Sequence, residues 1–240
     1  SDINKKLMLT SANSINIARW IPQMLYYFIA YKNLDIENFK VVFSVPSGNF
    51  GNLCAGMLAK KMGLPINHFV ASTNKNDTVP NFMKTGEYKK QKTISTITNA
   101  MDVGNPSNFV RILKLYNNDF QKLKKELTAY SFSDKETISG MQELYFKSKY
   151  LLDPHGSTAY LGLKKYLVNN PRKIGVFLET AHPIKFLETV EDAIEKKIRI
   201  PEKILKLRKK KKEKTSIKNY NELKSFLLSN NWYFKYNLKL

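Results

Sequence analysis

A chain of 240 residues with 42 % hydrophobic residues can bury a full core, as one large domain or two small ones. One cysteine, Cys54, rules out an internal disulfide and fits a reducing compartment. The three histidines, His68, His155 and His182, have no metal-ligand spacing, and no apolar run approaches membrane length. The net charge of +20 comes from lysines scattered through every segment, and only Arg208-Lys209-Lys210-Lys211-Lys212 is a true run. Without interleaved aromatics it reads as a solvated helix face or linker; a basic nucleic-acid-binding module centred on it is the alternative of another class.

In chain order, Asn13-Ser14-Ile15-Asn16-Ile17-Ala18-Arg19 gathers polar groups where a helix begins, and by itself reads as a capped N-terminus with a surface arginine. Ile17, Trp20, Ile21, Met24, Leu25, Phe28 and Ile29 then recur at helical spacing, which predicts one long inward-looking face, with Pro22 in its first turn or at a kink. Val41 to Val45 is a β-branched apolar run. After it come Pro46-Ser47-Gly48-Asn49-Phe50-Gly51-Asn52 and an apolar-periodic segment stopped by Gly63-Leu64-Pro65, so strand, tight turn and helix are predicted. Such a turn lets backbone N–H groups converge on an anion at the positive end of a helix. The glycines stand closer together than in a dinucleotide loop and no Gly-Lys-Ser/Thr follows, so the cradle suits a single phosphate; the same spacing also occurs as bare α/β scaffold.

Ile66 to Ala71 is the next strand and completes a parallel βαβ unit. Ala71 to Pro80 is polar and reads as a surface loop, and Asn105-Pro106 as the cap and first turn of a helix through Leu115. Asp119 to Tyr150 is helical in pattern, with capping-box spacing at Ser133-Asp134-Lys135-Glu136. Asp153-Pro154-His155 opens another helix, where a lone histidine is a structural hydrogen-bonder. Ile174 to Leu178 is a buried-type strand ending in Glu179-Thr180-Ala181-His182-Pro183, a polar cluster where open α/β sheets bind ligands. Asn219 to Leu228 is an amphipathic helix, followed by the aromatic tail Trp232-Tyr233-Phe234.

Several of these segments share one resemblance. Ser44 to Asn52, Ser11 to Arg19, Ala71 to Pro80 with Gly86, Thr98 to Asn108, the Asp-Pro-His start and Thr180-Ala-His-Pro are similar to segments of the threonine synthase family, over about residues 7 to 200. Ser157 and Thr158 stand where relatives carry small apolar residues. The resemblance implies an α/β fold, a three-layer open parallel sheet of the tryptophan-synthase β-like (fold type II) class with its N-terminal part missing. Residues 1–200 would be the C-terminal part of the catalytic fold and 201–240 a basic helical extension.

It implies pyridoxal 5'-phosphate as cofactor, bound by Gly48, Asn49, Phe50, Gly51 and Asn52, with Thr180 on the pyridine nitrogen. Ser14, Asn16 and Arg19 would hold the substrate's phosphate, and Asn49 would also reach the substrate. The implied reaction, the last step of threonine biosynthesis, converts O-phospho-L-homoserine and water to L-threonine and phosphate; a phospho-lyase acting on the same substrate is the alternative. The family's Schiff-base lysine lies in a Phe-Lys-Asp segment, and no lysine here sits in such a motif. We therefore expect a fragment, inactive alone, of a cytoplasmic enzyme that is a monomer or homodimer when full length and engages neither nucleic acid nor membrane. No metal is expected.

Overall fold

The computed structural model describes residues 3, 6, 7, 11, 13–34, 39–211 and 214–229. The aromatic tail Trp232-Tyr233-Phe234 and Lys212 of the basic run lie outside the described residues. Contacts divide the chain into Asn13–Arg199 and a second unit of Ser1–Ala12 with Ile200–Leu240.

In Asn13–Arg199 four parallel strands, β1 (Lys40–Pro46), β2 (Ile66–Thr73), β3 (Leu127–Ser131) and β4 (Lys173–Phe177), stand in the order β3-β2-β1-β4. β1 is the middle of the site's architecture: Val41 pairs with Ile66 on one side and with Ile174 on the other. Because side chains alternate along a strand, its residues divide between two cores. Val41, Phe43 and Val45 join Phe69 and Ala71 in a core covered by α2 (Met24–Lys32), α3 (Gly51–Lys61) and α5 (Phe109–Leu115). Val42 and Val70 face the other way, against Leu163 and Tyr166 of α8 (Pro154–Val168). The result is the expected three-layer open parallel sheet. α7 (Asp134–Ser148) and α9 (Leu187–Ile194) pack behind α8 through Met141, Leu152 and Val190.

Local signals account for most boundaries. Gly63, at φ +108°, follows the last turn of α3 in a conformation that favours glycine. Ser133 and Glu136 form a reciprocal capping box at α7, and Asp153 caps α8 with Pro154 as its first residue. In the second unit, Asn219 caps α11 (Tyr220–Leu228), and Lys209 to Lys211, after α10 (Glu202–Arg208), are exposed.

Four expectations change. The stretch after Asp119 is not continuously helical: a short helix, α6 (Phe120–Glu126), runs into edge strand β3, where Leu127 and Ala129 are buried against the sheet. α5 starts at Phe109 with Asn108 at its N-cap, one turn later than Asn105-Pro106 suggests. Ala71 to Pro80 is no surface loop, because Thr73, Asn74, Asn76 and Thr78 are buried and α4 (Thr78–Thr85) starts inside it. The apolar stripe from Ile17 is only partly inward. Across α1 (Ile17–Trp20), a short 3-10 turn and α2, Trp20 and Tyr27 are buried, while Ile17, Leu25 and Ile29 are at least half exposed. α2 is apolar almost all round, so packing on α3 buries one side and leaves the other uncovered.

Candidate functional site

The carboxyl ends of β1 and β4 open into a cleft of about 730 Å³. Its floor is the turn between β1 and α3, residues 48–52. The left-handed residue of this turn is Phe50, at φ 63°, held between its own burial and an edge-on contact with Phe109. Gly48 is required by close approach instead: a Cβ there would stand 2.6 Å from Met101 Cα and 2.9 Å from the Ala100 carbonyl. Gly51 is less crowded, with Asn108 Nδ2 at 3.4 Å from a Cβ. α3 starts at Gly51 with no acidic residue in its first turn, and Gly51 and Asn52 line the cleft.

The turn is braced from three directions. Asn49 Nδ2 donates to Ser14 Oγ (2.7 Å), while its Oδ1 accepts from the Ser107 N–H (2.7 Å) and hydroxyl (2.9 Å). Asn52 Nδ2 donates to the Pro46 carbonyl (2.8 Å), and Tyr27 Oη donates to the Asn52 carbonyl (2.7 Å). Asn108 and Arg111 donate to the Ser14 and Ile15 carbonyls, fixing the 13–16 turn beside the loop.

The segment against Gly48 is braced too. Asp102 Oδ1 accepts from Asn74 Nδ2 (2.9 Å) and Thr96 Oγ1 (2.7 Å), and its Oδ2 from the Thr96 N–H (3.1 Å). The polar stretch around Asn74 is thus a buried hydrogen-bonded support for residues 99–101 and touches no cleft surface.

Ser14, Arg19, residues 48–52 and Thr180 all line the cleft. Asn16 does not: its Oδ1 accepts the Ala18 N–H (3.1 Å) and caps α1, which carries Arg19. Glu179, part of the polar cluster expected at the end of β4, lines the cleft beside Thr180, whereas sequence reasoning missed His155, Gln23 and Tyr26 as cleft residues. Glu179 is held in the wall, its Oε1 accepting from the Asp153 N–H and its Oε2 from the Tyr150 hydroxyl, each at 3.2 Å. Burial pushes its carboxyl above the usual range, and the Asp153 charge adds to the rise while these two hydrogen bonds oppose it. Cys54 lies buried in α3, with its thiol pushed up to about 11 by burial, which makes it an inert packing residue. Among the described residues no group of three or more His, Cys, Asp or Glu could hold a metal, and no helix is long and apolar enough to cross a membrane.

The lining fits one phosphate monoester: a helix N-terminus with no acidic residue in its first turn, and the Thr180 hydroxyl on the same cleft as a further neutral donor or acceptor. An open parallel sheet with such a cleft at its strand ends defines an α/β enzyme for a phosphorylated cofactor or substrate. The chain belongs to the pyridoxal-phosphate dependent enzyme family, whose sequence pattern matches residues 7–178.

Within that family it is similar to threonine synthases. The C-terminal pattern of threonine synthase matches residues 161–227. Threonine synthase of Buchnera aphidicola subsp. Baizongia pistaciae is 46 % identical over 222 residues, 92 % of this chain and 51 % of the relative. The crystal structure of the Escherichia coli threonine synthase superposes with a TM-score of 0.77 at 44 % identity, covering 82 % of this chain and 46 % of that one. The PLP-bound Brucella melitensis threonine synthase superposes with a TM-score of 0.85 at 30 % identity, covering 95 % and 53 %. The chain spans about half the length of the curated relatives it matches.

Proposed function

We propose that this chain supplies the phosphate-anchoring and ring-nitrogen side of a threonine synthase, which converts O-phospho-L-homoserine and water to L-threonine and phosphate. The observation that carries the reading is the convergence of Ser14, Arg19, residues 48–52 and Thr180 on one cleft. Pyridoxal phosphate, when bound there, would supply an electron sink for negative charge developing on the substrate carbons beside it.

This chain's residues bind and orient. The turn 48–52 and the first N–H groups of α3 hold the cofactor phosphate. Thr180 Oγ1 hydrogen-bonds the ring nitrogen as a neutral partner, which does not enforce its protonation as a carboxylate would. Arg19 and Ser14 take the substrate phosphate as charge-assisted and neutral donors. Asn16 positions Arg19 through the cap of α1, and Asn49 positions Ser14.

Among the described residues lining the cleft there is no lysine. This supports placing the lysine that holds the cofactor covalently in the half of the relatives that the chain does not match, so that residues 1–240 turn nothing over alone. Residues 1–200 then form part of the catalytic fold and 201–240 a helical extension. The complete enzyme is cytoplasmic, a monomer or homodimer, and uses its positive charge for anionic small molecules rather than nucleic acid.

The test is borohydride reduction with pyridoxal phosphate followed by peptide mapping, on residues 1–240 and on the complete protein, together with product analysis from O-phospho-L-homoserine. Threonine and phosphate from the complete protein, with the reduced adduct on a lysine outside 1–240, is the expected result. A stoichiometric adduct within 1–240 accompanied by turnover overturns the half-site reading, and an elimination product in place of threonine assigns a lyase.

A further inference from the structure

His155 is the second residue of α8 and lines the cleft although it is only 2 % exposed. Asp153 Oδ1 accepts both the His155 backbone N–H (2.8 Å) and its Nδ1 (2.9 Å), which fixes the ring's orientation. The Phe186 ring, 4.8 Å away between centroids, packs tilted against the imidazole. The other ring nitrogen, Nε2, is fully buried and has no hydrogen-bond partner.

The ring's place along the wall follows from its neighbours. One turn further on, Thr158 Oγ1 donates to the His155 carbonyl (2.7 Å) and meets Met101 Sδ at 3.9 Å. Met101 is the residue whose backbone closes on Gly48. On the other side, Glu179 accepts from the Asp153 N–H and packs against Gly156, the residue after His155. His155 therefore stands between the phosphate turn and Glu179-Thr180. A buried polar nitrogen without a partner costs free energy that native proteins seldom leave uncompensated.

We propose that His155 Nε2 hydrogen-bonds a polar substituent of the cofactor ring lying between the 48–52 turn and Thr180, and so sets the orientation of that ring. The inference rests on the reading of the cleft as a pyridoxal-phosphate site. Asp153 and Phe186 hold the imidazole in advance, so the contact is made without ordering a mobile side chain. His155 belongs with the cofactor-binding residues, and Asp153 is its positioning residue.

Two substitutions in the complete protein separate this role from a structural one. His155→Asn puts an amide nitrogen in the place of Nδ1 and keeps a donor for Asp153, but leaves the place of Nε2 empty. His155→Gln puts the amide nitrogen near Nε2 and gives up the Asp153 contact. By equilibrium dialysis, His155→Asn should bind pyridoxal phosphate about tenfold more weakly and His155→Gln within about threefold of the parent. The reverse order, or equal affinities, overturns the inference.

A second readout needs no variant. In the uniformly labelled complete protein the His155 Nε2 nitrogen resonance should move on adding pyridoxal phosphate and stay in place on adding inorganic phosphate. A resonance that both ligands move equally, or neither moves, overturns the ring contact. Failure of the parent protein to bind pyridoxal phosphate sinks the cleft assignment itself; normal binding with an unaffected His155→Asn sinks only this inference.

Discussion

Gly48 and Met101 are in backbone contact: a Cβ on Gly48 would stand 2.6 Å from Met101 Cα. The bracing network through Asn74, Thr96 and Asp102 leaves the 99–101 turn little room to retreat. Gly48→Ala should therefore destabilise by the cost of overpacking, about 1–3 kcal/mol, and weaken pyridoxal phosphate retention. Gly51→Ala, where the nearest atom is a side-chain nitrogen at 3.4 Å, should cost less. Denaturant midpoints with cofactor dialysis on both variants check the order, and a milder Gly48→Ala would refute the account of the turn.

Arg19 lines the cleft, whereas Asn16 acts one step away through the cap on Ala18. If Arg19 takes the substrate phosphate as proposed, Arg19→Ala in the complete protein should raise KM for O-phospho-L-homoserine strongly and leave pyridoxal phosphate affinity unchanged, because a charge-assisted contact would be lost. Asn16→Ala should give a smaller rise in KM and a loss of about 1 kcal/mol in stability, the usual effect of removing a cap. Steady-state kinetics with a melting curve decides; Arg19→Ala with unaltered kinetics returns that arginine to the surface.

How much of this was legible in the sequence depended on whether the signal was local. The β1 turn α3 unit, the capping box at Ser133 and the Asp153-Pro154 start are written in adjacent residues, and the structure has them where the sequence puts them. Strand β3 was hidden because Leu127 to Ser131 follows a helical run with no Gly or Pro between, and only pairing with β2 draws it into the sheet. Gly48 was recognised as necessary for the turn's backbone, yet the reason for it lies fifty residues on, in Ala100 and Met101. His155 has the same character: its neighbours in sequence explain the helix start, while its place in the cleft wall depends on the docking of α8 against the ends of β1 and β4.

His68 supplies a pH dependence of stability. It lies buried under the Tyr166 ring, 4.9 Å away between centroids, with Nδ1 on the Lys125 carbonyl and Nε2 on Thr128. Burial first, and the Lys173 charge second, bring its pKa down to about 4. The unfolded chain, near 6.5, therefore binds the proton before the folded chain does. The stabilisation is fully present above about 6.5 and is lost as pH falls towards 4, by on the order of 3 kcal/mol. Glu136 and Glu143, held below their ordinary value of 4.5 by hydrogen bonds from Ser133 and Lys164, lose their contributions only lower still. Denaturant unfolding between pH 7 and pH 4.5 should show a slope that His68→Phe flattens; equal slopes would remove His68 as the cause.

The two sides of α2 should respond differently to substitution. Tyr27 is 1 % exposed, lies 5.1 Å from Phe43 between ring centroids, and reaches the phosphate turn through its hydrogen bond to Asn52. Leu25 and Ile29, 60 % and 58 % exposed, lie on the uncovered side. In the 240-residue chain Tyr27→Ala should cost about 3–5 kcal/mol, the range for emptying a buried aromatic site, whereas Leu25→Lys or Ile29→Lys should change stability by less than about 0.5 kcal/mol. Tyr27→Phe keeps the ring and removes only the contact to Asn52, so it should lose about 1 kcal/mol and loosen the turn that meets the cleft. Urea midpoints for the four variants provide the measurement. A lysine at Leu25 or Ile29 as damaging as Tyr27→Ala would mean that this side of the helix is covered in the folded chain, contrary to the packing of α2 on α3 alone.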